Sequence, residues 1–257
     1  MGNLYFEIQG LTWKGKADQQ QDALLINGKV IQHKGLITQL HKYPQHQDWH
    51  IGIADGVSQS PHAKLAATTI LGLSSADIQN STALSLVTLQ EQFCQALHNI
   101  PQSIGSSTTL AFLSHHQSQF LNLQYLGNTR AYLFSQQTKQ WRCLTHDHTY
   151  LEELRKKQLL QEGEQYASIY NTLTQFFCAD PMHHVTEQPP LEEYLLENEA
   201  VVLCSDGLHD ILECDQWPLL QPNQSLKEWL LQIKNKLAHS QAYDNVSIVI
   251  VRLSPAT

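Results

Sequence analysis

Two short apolar runs of this chain end in the same dipeptide, Asp-Gly. Asp55 ends the run HIGIA and Asp206 ends the run AVVLCS, and a glycine follows each acid. A buried strand that ends at Asp-Gly places a carboxyl group at a sheet edge, where glycine lets the backbone turn sharply. A third acid, Asp244, stands just before Val246–Val251, the strongest β-type run in the chain. Because hard divalent cations prefer oxygen ligands, three such acids predict one divalent-metal site.

Composition limits the classes of protein and partner. With 257 residues, the chain is long enough to bury one large core, and we expect a single domain over residues 1–257. Acidic residues outnumber basic ones by 24 to 16 without a long Lys/Arg cluster, which argues against a nucleic-acid partner. No run of about 18 apolar residues and no signal-peptide pattern is present, so we predict no membrane span and a cytoplasmic location.

Helical patterns occur in groups rather than alternating regularly with strands, which favours an α+β fold over a parallel βαβ sheet. Pro61–Leu73 and Thr82–Ile100 have helical composition or spacing, and we expect them to form an adjacent pair that covers one sheet face. Thr149–Gln161 and Leu226–Leu237 are further predicted helices.

Three successive segments have strand patterns. They are Ser107–Leu113, Gln119–Leu126 and Arg130–Phe134. The last two are separated by Gly127 and Asn128, a pair suited to a tight hairpin, so we expect consecutive hairpins within one antiparallel sheet.

Seven short motifs follow one another in a defined order: QQDA (20–23), ADGVS (54–58), STT (107–109), LGNTRAY (126–132), LTHDH (144–148), CSDGL (204–208) and DNVS (244–247). With these motifs the chain resembles the metal-dependent serine/threonine protein phosphatases of type 2C, in particular their compact bacterial members. The resemblance covers nearly the whole chain. It implies a four-layer αββα sandwich, in which two antiparallel sheets are flanked by helix pairs and metal ions lie in a cleft at one sheet edge.

The resemblance also implies a binuclear site for Mn²⁺ or Mg²⁺, with a possible third ion. In the family's pattern Asp55 bridges two ions, the Gly56 carbonyl joins the second, and Asp206 with Asp244 completes the first. Asp22, the acid of the first motif, acts at or near the second ion. Two such ions activate a water for direct attack on a phosphate ester, so no phosphoenzyme is expected.

Three neighbouring residues have other implied roles. Asp147, in LTHDH, matches a position that helps to hold the third ion, although it could equally cap the helix that follows. Asp244 could also simply cap a strand. Asn245 is expected to orient ligands rather than to bind a metal itself.

The chain departs from the family in its first motif. An arginine that clamps the substrate phosphate usually precedes the acid by about five residues, and Ala17 occupies that place. Lys16 or Lys14 could bind phosphate instead, with charge but without the two-pronged guanidinium geometry.

Together these features predict a bacterial signalling phosphatase that hydrolyses phosphoserine or phosphothreonine in proteins, opposes a serine/threonine kinase and acts as a monomer. One alternative is a catalytically weak pseudophosphatase that binds a phosphoprotein or a regulator. Another is a hydrolase of small phosphorylated metabolites. Four converging carboxylates repel one another unless a cation is bound, which favours an active metalloenzyme over a pseudophosphatase.

Overall fold

The computed structural model describes residues 4–80, 84–116, 120–160, 166–240 and 244–255. Among these residues, a first antiparallel sheet contains β1 (Leu4–Trp13), β4 (Gly35–Ile37), β5 (His41–Pro44), β10 (Arg130–Ser135), β11 (Gln140–Cys143), β14 (Ala200–Cys204) and β15 (Val246–Pro255). Its strand order is β11-β10-β14-β15-β1-β4, and β5 also pairs with β1. The long strands β1 and β15 pair over their full length, from Leu4 opposite Pro255 to Trp13 opposite Val246.

The second antiparallel sheet contains β2 (Ala23–Ile26), β3 (Lys29–Ile31), β6 (Trp49–Ala54), β8 (Leu110–His115), β9 (Leu121–Leu126) and β13 (Leu191–Glu193). Its strand order is β13-β9-β8-β6-β2-β3. Two short strands, β7 (Ser107–Thr108) and β12 (Phe177–Cys178), pair separately beside it.

Five α-helices lie within the described residues: α1 (Ala63–Asn80), α2 (Leu86–Leu97), α3 (Tyr150–Lys156), α4 (Asp206–His209) and α5 (Leu226–Ala238). Short 3-10 turns occur at Ser168–Asn171 and Cys214–Gln216. Within the same ranges, no helix is both long and apolar enough to cross a lipid bilayer.

Three apolar layers hold the fold together. Side chains from both sheets, such as Ile51 and Val251, form the central layer. Phe93 of α2 belongs to a layer between the helices and the second sheet. Trp229 of α5 belongs to a layer on the outer face of the first sheet, which short α4 also joins through Leu208. The layers confirm the predicted αββα sandwich.

The alternation within β15 shows how sequence produces this layering. Val249 and Val251 point into the central layer, whereas Ile248 and Ile250 join the outer layer against α5. Successive strand side chains point to opposite faces, so the part of β15 that lies between the two apolar layers, residues 248–251, is apolar at every position. This burial on both faces explains the strong β-type run in the sequence.

The predicted hairpin at Gly127 and Asn128 is wrong. Strand β9 belongs to the second sheet, whereas β10 pairs with β11 and β14 of the first, so the chain crosses from one sheet to the other here. Gly127 has a φ of 101°, which permits a sharp turn in either case. Turn composition predicts a change of direction but does not specify the pairing partner.

The predicted helices lie where the sequence indicates, but their ends differ from the predicted ones. The predicted Pro61–Leu73 segment extends as α1 to Asn80, and α2 occupies the interior of the predicted Thr82–Ile100 segment, with Ser85 as its N-cap. Helix α5 matches its prediction to within one residue. Helix α3 stops at Lys156, soon before Gln158, whose positive φ of 56° is not helical. Thr82, Gln119 and Gln161 lie outside the described residues.

Candidate functional site

A pocket of about 380 Å³ opens where strand ends of both sheets meet. We call it the acid pocket, because three of the predicted acids lie in its wall. Its described lining residues are Asp55, Val57, Ser58, Thr109, Asn128, Asn171, Thr172, Leu173, Phe176, Asp206 and Asp244.

Asp55 directly follows β6 and is held through its backbone. Its N–H donates to Thr109 Oγ1 over 3.2 Å, and its carbonyl accepts bonds from Thr109 N and Thr108 Oγ1 at 2.9 and 2.8 Å. The next residue, Gly56, lies so close to the start of α1 that a Cβ there would be 2.3 Å from the Ala63 carbonyl oxygen. Only glycine therefore fits beside Asp55.

Asp22 is buried next to these acids, immediately before β2, with 1% of its surface exposed. The Ser205 hydroxyl donates a 2.8 Å hydrogen bond to Asp22 Oδ2 and accepts one of 3.0 Å from Ser247 N. Ser205 thus connects an acid of the second sheet to two strands of the first. The sequence contained this serine in the CSDGL motif, but nothing local indicated its partner.

Asp206 is the first residue of α4. The Asn128 amide donates a 2.9 Å hydrogen bond to Asp206 Oδ2, and the Asn128 carbonyl lies 3.0 Å from His209 Nε2. A Cβ on Gly207 would lie 2.0 Å from the Asn245 carbonyl oxygen. The glycine therefore allows α4 to approach the start of β15 and brings Asp206 towards Asp244. The sequence pattern indicates only a turn at Asn128 and gives no sign of this contact.

Asn245, beside Asp244, fastens a neighbouring loop. Its Nδ2 donates to the carbonyl oxygens of Lys14 and Gln19, both over 2.9 Å, and its Oδ1 accepts a 2.6 Å bond from Gln21 N. Asn245 therefore holds the loop that leads into Asp22.

The acids influence one another electrostatically. Burial raises the pKa of Asp22 to about 7, and the charges of Asp206 and Asp244 act in the same direction. Burial also raises the pKa of Asp55 well above its usual range, reinforced by Asp206 and Asp22. The pKa of Asp244 is raised by burial and then by Asp206. These four carboxyl groups therefore form one interacting cluster.

The cluster fits a divalent cation by its chemistry. Clustered carboxylates provide the hard oxygen ligands and the negative charge that Mn²⁺ or Mg²⁺ requires. In the part of the chain that the structure describes, no three His, Cys, Asp or Glu side chains already form a ready-made metal-holding group. The carboxyl groups can still turn towards an ion, because the terminal torsion of an aspartate is broad and adjusts easily. Their mutual repulsion is the stronger indication of a cation site, because a bound cation would relieve it.

Asp147 lies elsewhere, in an adjoining polar pocket of about 440 Å³. The Arg130 guanidinium binds it with two hydrogen bonds, Nε to Oδ1 at 2.8 Å and Nη2 to Oδ2 at 2.6 Å. The N-cap of α3 is Thr149, so Asp147 does not cap that helix. Its role at a third ion stays a prediction.

The two lysines predicted to bind phosphate are not among the described residues that line the acid pocket. Lys14 Nζ donates to the Ala17 carbonyl oxygen, and Lys16 is exposed on the same loop. Their phosphate-binding role also stays a prediction.

Comparison with known proteins shows what this architecture resembles. No protein-family model and no curated protein matches the chain. Among solved structures, a serine/threonine phosphatase from S. agalactiae superposes with a TM-score of 0.77 at 20% identity, covering 96% of this chain and 99% of that one. The Mycobacterium tuberculosis serine/threonine phosphatase PstP/Ppp gives 0.72 at 16% identity, covering 97% and 99%.

A third structure, the catalytic domain of the phosphatase PstP in complex with two manganese ions, gives a TM-score of 0.69 at 16% identity and covers 98% of this chain and 99% of that one. Likeness at these identities establishes the fold, and it extends over nearly the whole of each chain. The four-layer sandwich, the strand-end acids and the superpositions agree with the resemblance that the motifs indicated. The chain therefore has the fold of the bacterial serine/threonine phosphatases of type 2C.

Proposed function

We propose that this protein is a metal-dependent phosphatase that hydrolyses phosphoserine and phosphothreonine in proteins. The observation that carries the proposal is the convergence of Asp22, Asp55, Asp206 and Asp244, from distant parts of the chain, in one mutually repelling cluster. A cluster of this kind costs stability unless a cation neutralises it. The solved phosphatases of the same fold support the choice of reaction.

Five residues would hold the metal ions. They are Asp55, Asp206 and Asp244 with their carboxylates, Gly56 with its carbonyl oxygen, and Asp22 at or near the second ion. When bound, two Mn²⁺ or Mg²⁺ ions would supply positive charge for the phosphoryl oxygens and lower the pKa of the attacking water.

The remaining work of the site belongs to supporting groups. Asn128 holds one oxygen of Asp206, and Ser205 holds one oxygen of Asp22. Asn245 fixes the loop that precedes Asp22. These hydrogen bonds orient the acids before substrate arrives, so that little reorganisation is needed during the reaction.

One observation favours the alternative of a pseudophosphatase that binds phosphoproteins. None of the described lining residues of the acid pocket is a lysine or an arginine. A phosphate dianion entering the pocket would therefore meet no side-chain cation there. The presence of all four acids argues the other way, because a purely binding protein has no need of them.

Hydrolysis of a phosphothreonine peptide, with and without Mn²⁺, tests the proposal. Asp206→Asn keeps the shape and an acceptor for Asn128 but removes the charge, and we expect it to reduce kcat/KM by about 100-fold or more. Asp215→Asn is a matched control, because Asp215 is exposed and lies outside the acid pocket.

Wild-type protein that is folded, binds Mn²⁺ and still leaves the peptide intact would contradict the proposal and favour the pseudophosphatase. Faster hydrolysis of free phosphorylated metabolites than of phosphopeptides would instead favour a metabolite phosphatase. The partner kinase, the monomeric state, the cytoplasmic location and a third ion stay predictions.

A further inference from the structure

Apart from its three acids, the described lining residues of the acid pocket are uncharged. The polar ones include Ser58 and Asn171, and the apolar ones include Leu173 and Phe176. Phosphate-binding sites usually contain arginine or lysine, because a cation attracts the phosphate charge and a guanidinium can donate to two phosphoryl oxygens at once. The acid pocket therefore needs another means of holding the phosphoryl group of its proposed substrate.

The arginines of the adjoining polar pocket do not provide it. Both oxygens of Asp147 are engaged by Arg130, whose Nη1 also donates to the Tyr132 hydroxyl over 3.2 Å. Arg155 Nη1 donates to Glu152 over 3.3 Å. A guanidinium already paired with a carboxylate would have to break that pair before it could clamp phosphate.

Asn171 occupies the boundary between the two pockets and lines both of them. Within the described part of the chain, its side-chain amide has no hydrogen-bond partner. The backbone next to it is held in position by two contacts. The Thr172 carbonyl oxygen accepts a 3.0 Å hydrogen bond from Tyr150 N, and Leu173 forms a β-bridge with Thr149. The main chain that carries this exposed side chain is thus fixed at the pocket wall, and its amide is open to a ligand.

Ser58 provides a second uncommitted donor. It lies two residues after Gly56, in the connection between β6 and α1, and its exposed side chain likewise has no hydrogen-bond partner among the described residues. Asn171 and Ser58 thus bring an N–H donor and an O–H donor to the same pocket from two separate parts of the chain.

We propose that Asn171 and Ser58 bind the phosphoryl oxygens of the substrate, with uncharged donors in place of the arginine that Ala17 replaces. This inference rests on the proposed phosphatase function. Asn171 Nδ2 and Ser58 Oγ donate to oxygens that carry the negative charge, and bound metal ions would supply the positive charge. Neutral donors hold the product phosphate more weakly than a guanidinium does, so inorganic phosphate leaves readily and inhibits poorly.

The test measures KM and kcat for a phosphothreonine peptide and Ki for inorganic phosphate, all with Mn²⁺. For Asn171→Ala we expect KM and Ki to rise about ten- to 100-fold, as the loss of one hydrogen bond to a charged group predicts. For Asn171→Lys we expect both constants to fall, because a cation now faces the phosphate. Ser58→Ala should act in the same direction as Asn171→Ala.

Asn223→Ala and Asn223→Lys are the matched controls, because Asn223 is an exposed asparagine outside both pockets. An active wild type in which all Asn171 variants keep KM and Ki unchanged would overturn the inference and leave the phosphatase function intact. Equal shifts in the Asn171→Lys and Asn223→Lys variants would also overturn it.

A direct binding measurement separates this inference from the phosphatase function. The phosphothreonine peptide and its unphosphorylated form are titrated into Mn²⁺-loaded protein and followed by fluorescence anisotropy. If wild type is inactive, the phosphatase function fails. The inference would still be supported if Asn171→Ala bound the phosphopeptide more weakly than wild type but bound the unphosphorylated peptide equally well. Equal binding of the phosphopeptide by wild type and variant would refute it.

Discussion

Replacing Asp22 with asparagine should stabilise the protein in the presence of a chelator, although it removes a carboxyl group of the proposed centre. Burial and neighbouring charges raise the pKa of Asp22 from 3.8 to about 7. At about 1.4 kcal/mol for each pH unit, ionising this carboxyl group in the folded protein costs up to about 4 kcal/mol. Asparagine keeps an oxygen that can accept the bond from Ser205 and carries no charge.

The sign of the pH dependence follows from the raised pKa. The folded protein favours the protonated acid, so the penalty is absent below pH 3.8, grows as pH rises, and levels off above about pH 7. The stabilisation by Asp22→Asn should therefore be small near pH 4 and largest at pH 8. In a chain of this size each kcal/mol corresponds to about 2–4 °C in Tm.

Thermal unfolding in EDTA and in Mn²⁺, between pH 4 and pH 8, measures both effects. With Mn²⁺ the order should reverse, because wild type gains more binding free energy from the cation than the variant does. Asp18→Asn, an exposed acid four residues earlier, controls for net charge. If Asp22→Asn were destabilising in EDTA by the same amount at pH 5 and pH 8, the carboxyl group would act through its hydrogen bond and not through its charge.

Two further predictions concern backbone packing and a buried ion pair. Gly207→Ala should abolish peptide hydrolysis and lower the free energy of unfolding by several kcal/mol, because its Cβ would lie 2.0 Å from the Asn245 carbonyl oxygen. The control is Gly72→Ala in α1, which has open space around it and should be neutral or stabilising by about 0.5–1 kcal/mol. Denaturant titrations measure both changes. Burial raises the pKa of Glu7, but Arg252 outweighs it and holds that pKa below 4.5. Glu7→Gln should therefore destabilise by about 3 kcal/mol at pH 7, and a deficit that failed to shrink below pH 4.5 would contradict the ion-pair explanation.

Much of the site could be predicted from local pattern. Asp55 and Asp206 follow apolar runs and precede glycine, so strand ends and turns were evident without any tertiary contact. Helical spacing located α5 to within a residue, because an amphipathic helix records its buried face in its own sequence. The ordered motifs then indicated the fold that the superpositions confirm.

Which strands pair, and which side chains form hydrogen bonds with each other, could not be predicted from local pattern. Gly127 and Asn128 indicated a turn, but whether the next strand pairs with its neighbour or crosses to the other sheet depends on β14, about 70 residues later in the chain. The hydrogen bond between Ser205 and Asp22 joins residues 183 positions apart. Long-range contacts of this kind are set by packing of the whole sandwich and leave no periodic signal.

Residue types and their spacing therefore specify the chemistry of the site, since they supply its carboxyl groups and the glycines beside them. Which of these groups meet depends on how the whole chain packs. This packing directs Arg130 to Asp147, Asn128 to Asp206 and Ser205 to Asp22, and it leaves Asn171 facing the acid pocket. The physical reason is that charge and backbone preference are local, whereas hydrogen-bond partners and burial arise only when distant strands pack together.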